Sequence, residues 1–419
     1  MVKRRWWNAP QAMASPHKHA HSAVKQRKYN FITLFTQLVN LPFEMSEQTQ
    51  VNSSRVEVAQ IIETSSRAIA TWTVDQQYRE DDSMEMRYGA DGRRLWNQEV
   101  LARIAHLAEA VALDREKIFI GNALWSKTAF IARELNSIDL SKNLECMKSV
   151  LIEQFPKPIS NLTTPMINHA VEHLQQNQEC VASPLSEVGT SRDLARMYLM
   201  HLLRRDRNEA ERLISELSQN GLAFAQICEG ILVPAMVEIG HMWHVQEASI
   251  ADEHYCTNAT QQILEVLRSK TPRKAPNGYL VVATSVGGDL HDLGIKILSA
   301  IYEIEGWSVE CLGANTPADE IASTIAPQLY RGPADLLALS ATTSLRIRSV
   351  QNVIAAVRAT PAGKNIPILV GGQPFQLIDD LWQVVGANAQ CLTSSASLET
   401  ALRLVIESHT KNRKAHRAH

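Results

Sequence analysis

Apolar residues recur at every third or fourth position through the first two thirds of the chain and then gather into short blocks. This change of period divides the molecule before any motif is considered. Val58, Ile61, Ile62, Ser65 and Ile69, then Val100, Ile104, Leu107 and Ala108, then Leu144, Met147, Leu151 and Phe155, keep the spacing of one helical face. Residues 56–155 are therefore predicted to form a helical domain whose last helix starts at Asp139 or Ser141. Residues 156–188 carry Pro156, Pro158, Pro165 and Pro184 among Ser, Thr, Asn and Gln. Proline withholds a backbone donor and restricts the residue before it, so this stretch is predicted as a linker with at most a short helix near 167–175. The helical period returns over 189–270 in four closely spaced runs. Asp206 with Glu209, and Ser249 with Asp252, are placed to accept the first free amides of two of them, Gly221 ends the second, and Pro234 falls in the first turns of the third. Short loops make such helices antiparallel neighbours, which predicts a four-helix bundle. After the joint at 271–278, strand-like blocks at 279–284, 308–312, 336–339, 366–370 and 389–392 alternate with helices to about residue 410. Right-handed crossovers turn that alternation into a parallel five-stranded sheet of flavodoxin (Rossmann) type. The expected fold class is thus α plus α/β: a helical N-terminal domain, a bundle, and a doubly wound domain over 278–410.

Composition adds limits. A chain of 419 residues suits two or three domains, and 45% hydrophobic with 21% charged residues is ordinary for a soluble globular protein. No apolar run approaches the roughly 20 residues of a membrane-spanning helix. A formal net charge of -2 argues against non-specific nucleic-acid affinity. The six cysteines (146, 180, 228, 256, 311 and 391) include no C-x-x-C pair and read as reduced thiols of a cytoplasmic protein. The charge is uneven at the ends. Residues 1–55 open with Lys3, Arg4 and Arg5 and have no acidic residue before Glu44, which predicts a disordered basic extension, with Met45 as an alternative start; 411–419 reads as a basic tail.

Candidate chemistry begins at Gly288-Asp289-Leu290-His291-Asp292-Leu293-Gly294, which follows the block 279–284 and opens a helix. Such a turn puts a histidine at the carboxyl end of a strand, where open α/β sheets bind ligands, with a carboxylate two residues away to fix one ring nitrogen. The heptapeptide alone would equally suit a loop histidine with acidic neighbours. Asp289-x-His291-x-x-Gly294, with Ser340-x-Thr342 after a later block and Gly371-Gly372 after the next, resembles the cobalamin-binding module of methionine synthase and the B12-dependent mutases. The resemblance spans about 187–410. It implies that His291 is the lower cobalt ligand and that the cofactor's nucleotide tail lies in a slot lined by Ser340, Thr342, Gly371 and Gly372.

Within the bundle, Trp243-His244 and Glu253-His254 flank one elbow, and the spacing is similar to that of light-sensing adenosylcobalamin proteins of the CarH type and their AerR/PpaA relatives. The resemblance implies a cap on the upper face. Trp243 would cover the adenosyl group, Glu253 would bond it with support from His254, and His244, taken as a loop residue, would be the upper ligand after light. The MerR-type winged helix-turn-helix of CarH has no match before residue 190, so a protein partner such as a transcriptional repressor is expected rather than direct DNA binding. A homo-oligomer is also admitted. The implied function is a cobalamin-binding, light-responsive regulator; the alternative is a corrinoid carrier of a methyltransferase system using methylcobalamin. No independent catalytic constellation is present. Trp72, Trp96 and Trp125 in the N-terminal domain read either as core anchors or as the lining of a second pigment pocket, for which a bilin is the candidate.

Overall fold

The computed structural model describes residues 47–176 and 183–417, with side chains over 54–176 and 183–411. Residues 1–46 of the extension expected at 1–55 lie outside the described residues. The N-terminal helices are α1 (Glu47–Thr64), α2 (Ser66–Glu80), α3 (Met84–Tyr88), α4 (Gly92–Leu113), α5 (Glu116–Ala132), α6 (Ser137–Gln154) and α7 (Lys157–Gln176). Ile62, Ile69, Val100, Ile104, Leu107, Leu144, Met147 and Leu151 meet in one core, as their period requires. Helix α6 starts at Ser137 because Asn136 accepts the free amide of Ile138 at 3.0 Å. Asp139 is buried instead beneath Arg87 and Tyr88.

The expected linker at 156–188 is corrected by α7. Pro158 falls in its first turn, where the missing N–H has no helical partner in any case. Pro165 does break the bonding inside the helix. It is tolerated because Ile159, Thr163, Met166, Ile167, Ala170, Val171 and Leu174 form one buried stripe against α5 and α6. Helix α1 likewise enters the region read as an extension.

The bundle consists of α8 (Thr190–Leu203), α9 (Arg207–Gln219), a long third helix and α12 (Ile250–Lys270). Asp206 accepts the Glu209 amide at 3.2 Å, and Ser249 and Asp252 form the reciprocal cap, at 3.2 and 2.9 Å. The third helix begins ten residues before Pro234: α10 (Phe224–Ile227) passes through a π-helical turn at Cys228–Leu232 into α11 (Val233–His244). In the wide turn the Val233 amide reaches back five residues to the Cys228 carbonyl. A proline following it therefore enters where the ladder is already loosened.

Strands β1 (Leu280–Val286), β2 (Ser308–Thr316), β3 (Leu336–Ser340), β4 (Ile368–Gly371) and β5 (Ala389–Cys391) form one parallel sheet in the order β2-β1-β3-β4-β5. The connecting helices are α13 (Leu293–Ile304), α14 (Ala318–Ile325), α15 (Ile347–Arg358), the short α16 (Gln373–Leu377) and α17 (Leu381–Val384), and α18 (Ser394–Arg417), which continues as helix through the expected tail at 411. Helix α13 is apolar on two sides: Ile297, Ala300, Ile301 and Ile304 join the bundle core, while Ile295 and Tyr302 join the sheet. The N-terminal core is continuous with the opposite sheet face under α14 and α15, and Ser53–His419 form one compact unit. No described helix is long and apolar enough to cross a membrane.

Candidate functional site

Strand β1 leads to β2 on one side and pairs with β3 on the other, so the chain direction across the sheet reverses there and opens a crevice at the strands' carboxyl ends. The register sets Ser285, Ser340, Gly371 and Cys391 in one row along that edge. The loop after β1 is pinned from several directions. Gly288 adopts φ +81°, and its amide donates to Asn315 Oδ1 at 2.6 Å. Asn315 is itself left-handed (φ +54°) and donates its amide to the Asp289 carbonyl at 2.9 Å. Ser285 Oγ donates to the His291 carbonyl at 3.0 Å.

Asp289 is the centre of this loop. It is 2% exposed, its Oδ1 accepts the His291 amide and lies 3.0 Å from His291 Nδ1, and its Oδ2 accepts the Thr342 amide at 2.6 Å. Burial pushes its carboxyl up, but the bonds from His291 and Thr342 outweigh burial and hold it below the usual range. His291 moves the opposite way, raised first by the hydrogen bond to Asp289, against burial, with smaller help from the negative charges of Asp289 and Glu253. With Nδ1–H committed to the carboxylate, a neutral ring offers the Nε2 lone pair from a side chain that is 64% exposed. Among the described residues no three His, Cys, Asp or Glu side chains gather to hold a metal. The space around the loop is open: a Cβ at Gly294, in the first turn of α13, would meet nothing within 4 Å, and Leu290, the residue before His291, is exposed.

The two glycines at the end of β4 differ. A Cβ on Gly372, which adopts φ +107°, would stand 2.0 Å from the Ala341 carbonyl oxygen, whereas one on Gly371 would meet only the Cys391 carbonyl at 3.4 Å. Gly372 is demanded by the protein's own backbone, whatever else approaches it. Ser340 and Thr342 are half-buried at the slot, and the Thr342 amide is already engaged by Asp289.

The bundle presents Ile250, Glu253, Thr257 and Gln261 along one face of α12. Glu253 accepts from Thr257 Oγ1 at 2.9 Å, and Gln261 Nε2 donates to Asp292 Oδ1 at 3.0 Å, tying this face to the loop of His291. His254 is not brought to the same place. It is exposed, 3.6 Å from Glu253, and lines another cleft with Arg205 and Tyr255. Trp243 is 48% exposed on a cleft at the elbow.

His244 departs most from expectation. It is the last residue of α11 rather than a loop residue, is 8% exposed, and stacks on Trp125 of α5 with centroids 3.7 Å apart and planes at 15°. Its Nε2–H donates to the Trp125 carbonyl at 2.8 Å. Burial pushes its pKa down to about 4, with the Trp125 carbonyl opposing and Arg133 assisting. Sequence reasoning missed Ser285 and Asn315, and it singled out Trp125 only as a core anchor or pocket lining, not as the partner of His244. A polar residue tolerant of positive φ at the end of a strand was a signal for Asn315; the pairing of Trp125 with His244 spans 119 residues and had none.

Residues 279–402 match the family model of the B12 binding domain, and residues 194–268 match a second B12 binding domain model. Dimethylamine corrinoid protein 1 of Methanosarcina acetivorans is 22% identical over 193 residues, 45% of this chain and 87% of that protein. The HTH-type transcriptional repressor CarA of Myxococcus xanthus is 27% identical over 193 residues, 46% of this chain and 61% of that protein. Among solved structures, the monomethylamine corrinoid protein of Methanosarcina barkeri is 17% identical with a TM-score of 0.44, covering 51% of this chain and 100% of that one. The sheet domain and the bundle thus each match a B12 binding domain model, which supports cobalamin binding.

Proposed function

We propose that this chain is a cobalamin-binding sensor, responsive to light through adenosylcobalamin, that signals by rearranging its own domains or a bound protein partner. His291 would hold the cobalt from below through Nε2, oriented by Asp289. The nucleotide tail would lie along Ser340, Gly371 and the Thr342 turn, with Gly372 keeping that turn closed. Trp243 and Glu253 would face the upper group. Adenosylcobalamin supplies a cobalt–carbon bond that light breaks; every response to that event must come from the chain.

The observation that carries this reading is the position of the N-terminal helices. They touch the bundle through Trp125 and His244, and the sheet domain through Arg348 bonded to Glu109 and Glu63 and through Arg115 paired with Asp380 at 2.6 Å. A shift of the bundle relative to the sheet therefore strains a third body, whose surface a repressor or other signalling protein could read. His244 would serve as an upper ligand only after leaving Trp125, so any such use would be coupled to release of this contact.

The relatives named as corrinoid proteins favour a second reading, a methyl carrier for a methyltransferase. A carrier must open its upper face to an enzyme, which a third domain tied to both halves of the sandwich opposes. One experiment separates the two. The cobalamin-loaded full chain is illuminated with green light while its absorption spectrum and its susceptibility to trypsin are followed. The sensor reading expects a lasting spectral change with faster cleavage around the N-terminal helices. Tryptic cleavage unchanged after the cobalt–carbon bond has been photolysed, together with methyl exchange in the presence of a methyltransferase, would establish the carrier instead.

A further inference from the structure

The cleft beside Trp243 is not made by the bundle alone. It has a volume of about 360 Å³ and is lined by Trp243, His244, Gln246, Ser249 and Ile250 of the elbow, together with Arg133, which caps the carboxyl end of α5. Building on the sensor reading above, we infer that the N-terminal helical domain completes the pocket for the cofactor's upper group, and that Arg133 is a specificity-determining residue for a nucleoside in it.

Position comes first. Ile250, Glu253, Thr257 and Gln261 follow one another at three- and four-residue steps on one face of α12. That face is tied at Gln261 to Asp292, the residue after His291, at 3.0 Å. The cleft stands at the Ile250 end of the same face. A group rising from the His291 side of the groove along α12 therefore reaches Trp243 and Arg133. Arg133 is carried there by docking, because α5 also bears Trp125, whose ring and carbonyl hold His244.

Chemistry comes second. Trp243 and Ile250 are both about half exposed and give apolar walls for a planar ring. The guanidinium of Arg133 is a planar fork of donors that lines the same cleft as Trp243 and His244. Ser249 is committed to capping α12, and Gln246, at φ +66° in the turn, is a further polar residue lining the space. Donors above an aromatic wall suit the ring nitrogens of a purine and the hydroxyls of its ribose, and offer nothing to a methyl group.

The test is the dark affinity of the full chain for adenosylcobalamin and for methylcobalamin, titrated by absorbance, in the parent, Arg133→Ala and Arg133→Lys. The parent is expected to prefer adenosylcobalamin. Arg133→Ala should lose roughly ten- to a hundredfold of its adenosylcobalamin affinity, the scale of a charged hydrogen bond, with methylcobalamin unchanged, and Arg133→Lys should recover part of it. Equal losses for both cofactors would mean that Arg133 only holds the domains together and would overturn the inference, as would no loss at all, while leaving the sensor reading intact. A parent without preference would remove that reading and this inference with it.

Discussion

Asp289 and His291 show what a short motif does and does not disclose. The carboxylate two residues before an imidazole suggested an oriented ring, and the ring is so oriented. That the other oxygen of Asp289 also holds the Thr342 amide, and so joins the first and third strand loops, depends on a contact across 53 residues that no spacing announces. The glycines at the end of β4 were legible as a pair but not as individuals, because what each one faces is set by the neighbouring strand. Their difference is measurable. Gly372→Ala would drive a Cβ into the Ala341 carbonyl at a positive φ and should cost about 1–3 kcal/mol or more. Gly371→Ala, whose new atom meets only a carbonyl at 3.4 Å, should melt close to the parent. Thermal unfolding of the two variants without cofactor checks this, and equal melting temperatures would remove the distinction.

At the scale of elements, the periodic helices and the sheet order were readable because burial on one face leaves a repeat in the sequence. Helix α7 was not, since its prolines signal interruption while the buried stripe that overrides them becomes meaningful only against α5 and α6. The junction of α5 with α11 was equally hidden, and it carries a pH dependence whose sign follows from His244. Its folded pKa, about 4, lies below the ordinary histidine value. The stability this ring lends to the contact is complete above about pH 6.5 and is lost as pH falls from there toward about 4, where the unfolded or undocked histidine takes up a proton first. The linkage amounts to about 3 kcal/mol at most. Tryptic release of the N-terminal helices should therefore quicken between pH 6.5 and 4.5 in the parent. It should be flatter in His244→Phe, which keeps an aromatic ring against Trp125 and cannot titrate. A parallel pH response in both proteins would place the dependence elsewhere.

Across the whole molecule, the sandwich of bundle and sheet was legible from its order of elements, whereas the docking of the N-terminal helices on both was not, since charge pairs such as Arg348 with Glu109 join residues 239 apart. Glu109 is 1% exposed and its carboxyl is pushed up by burial against the pull of Arg348. Arg348→Ala would leave that carboxylate buried without its partner and should destabilise the chain by about 3 kcal/mol. Removing both charges, as Glu109→Gln with Arg348→Ala, should cost less than the sum of the single changes. Denaturant unfolding of the four proteins gives the coupling, and strict additivity would show that the pair does not hold the domains. The π turn at Cys228–Leu232 bears on the same architecture in another way, because it sets the phase of everything after it. Deleting Gly230 to restore regular winding would advance each following residue by one place, about 100° around the axis. His244 would then stand where Trp243 borders the cleft, and Val245 would meet Trp125. One residue of length, with no change in composition at the elbow, decides which ring borders the cleft and which meets the neighbouring domain.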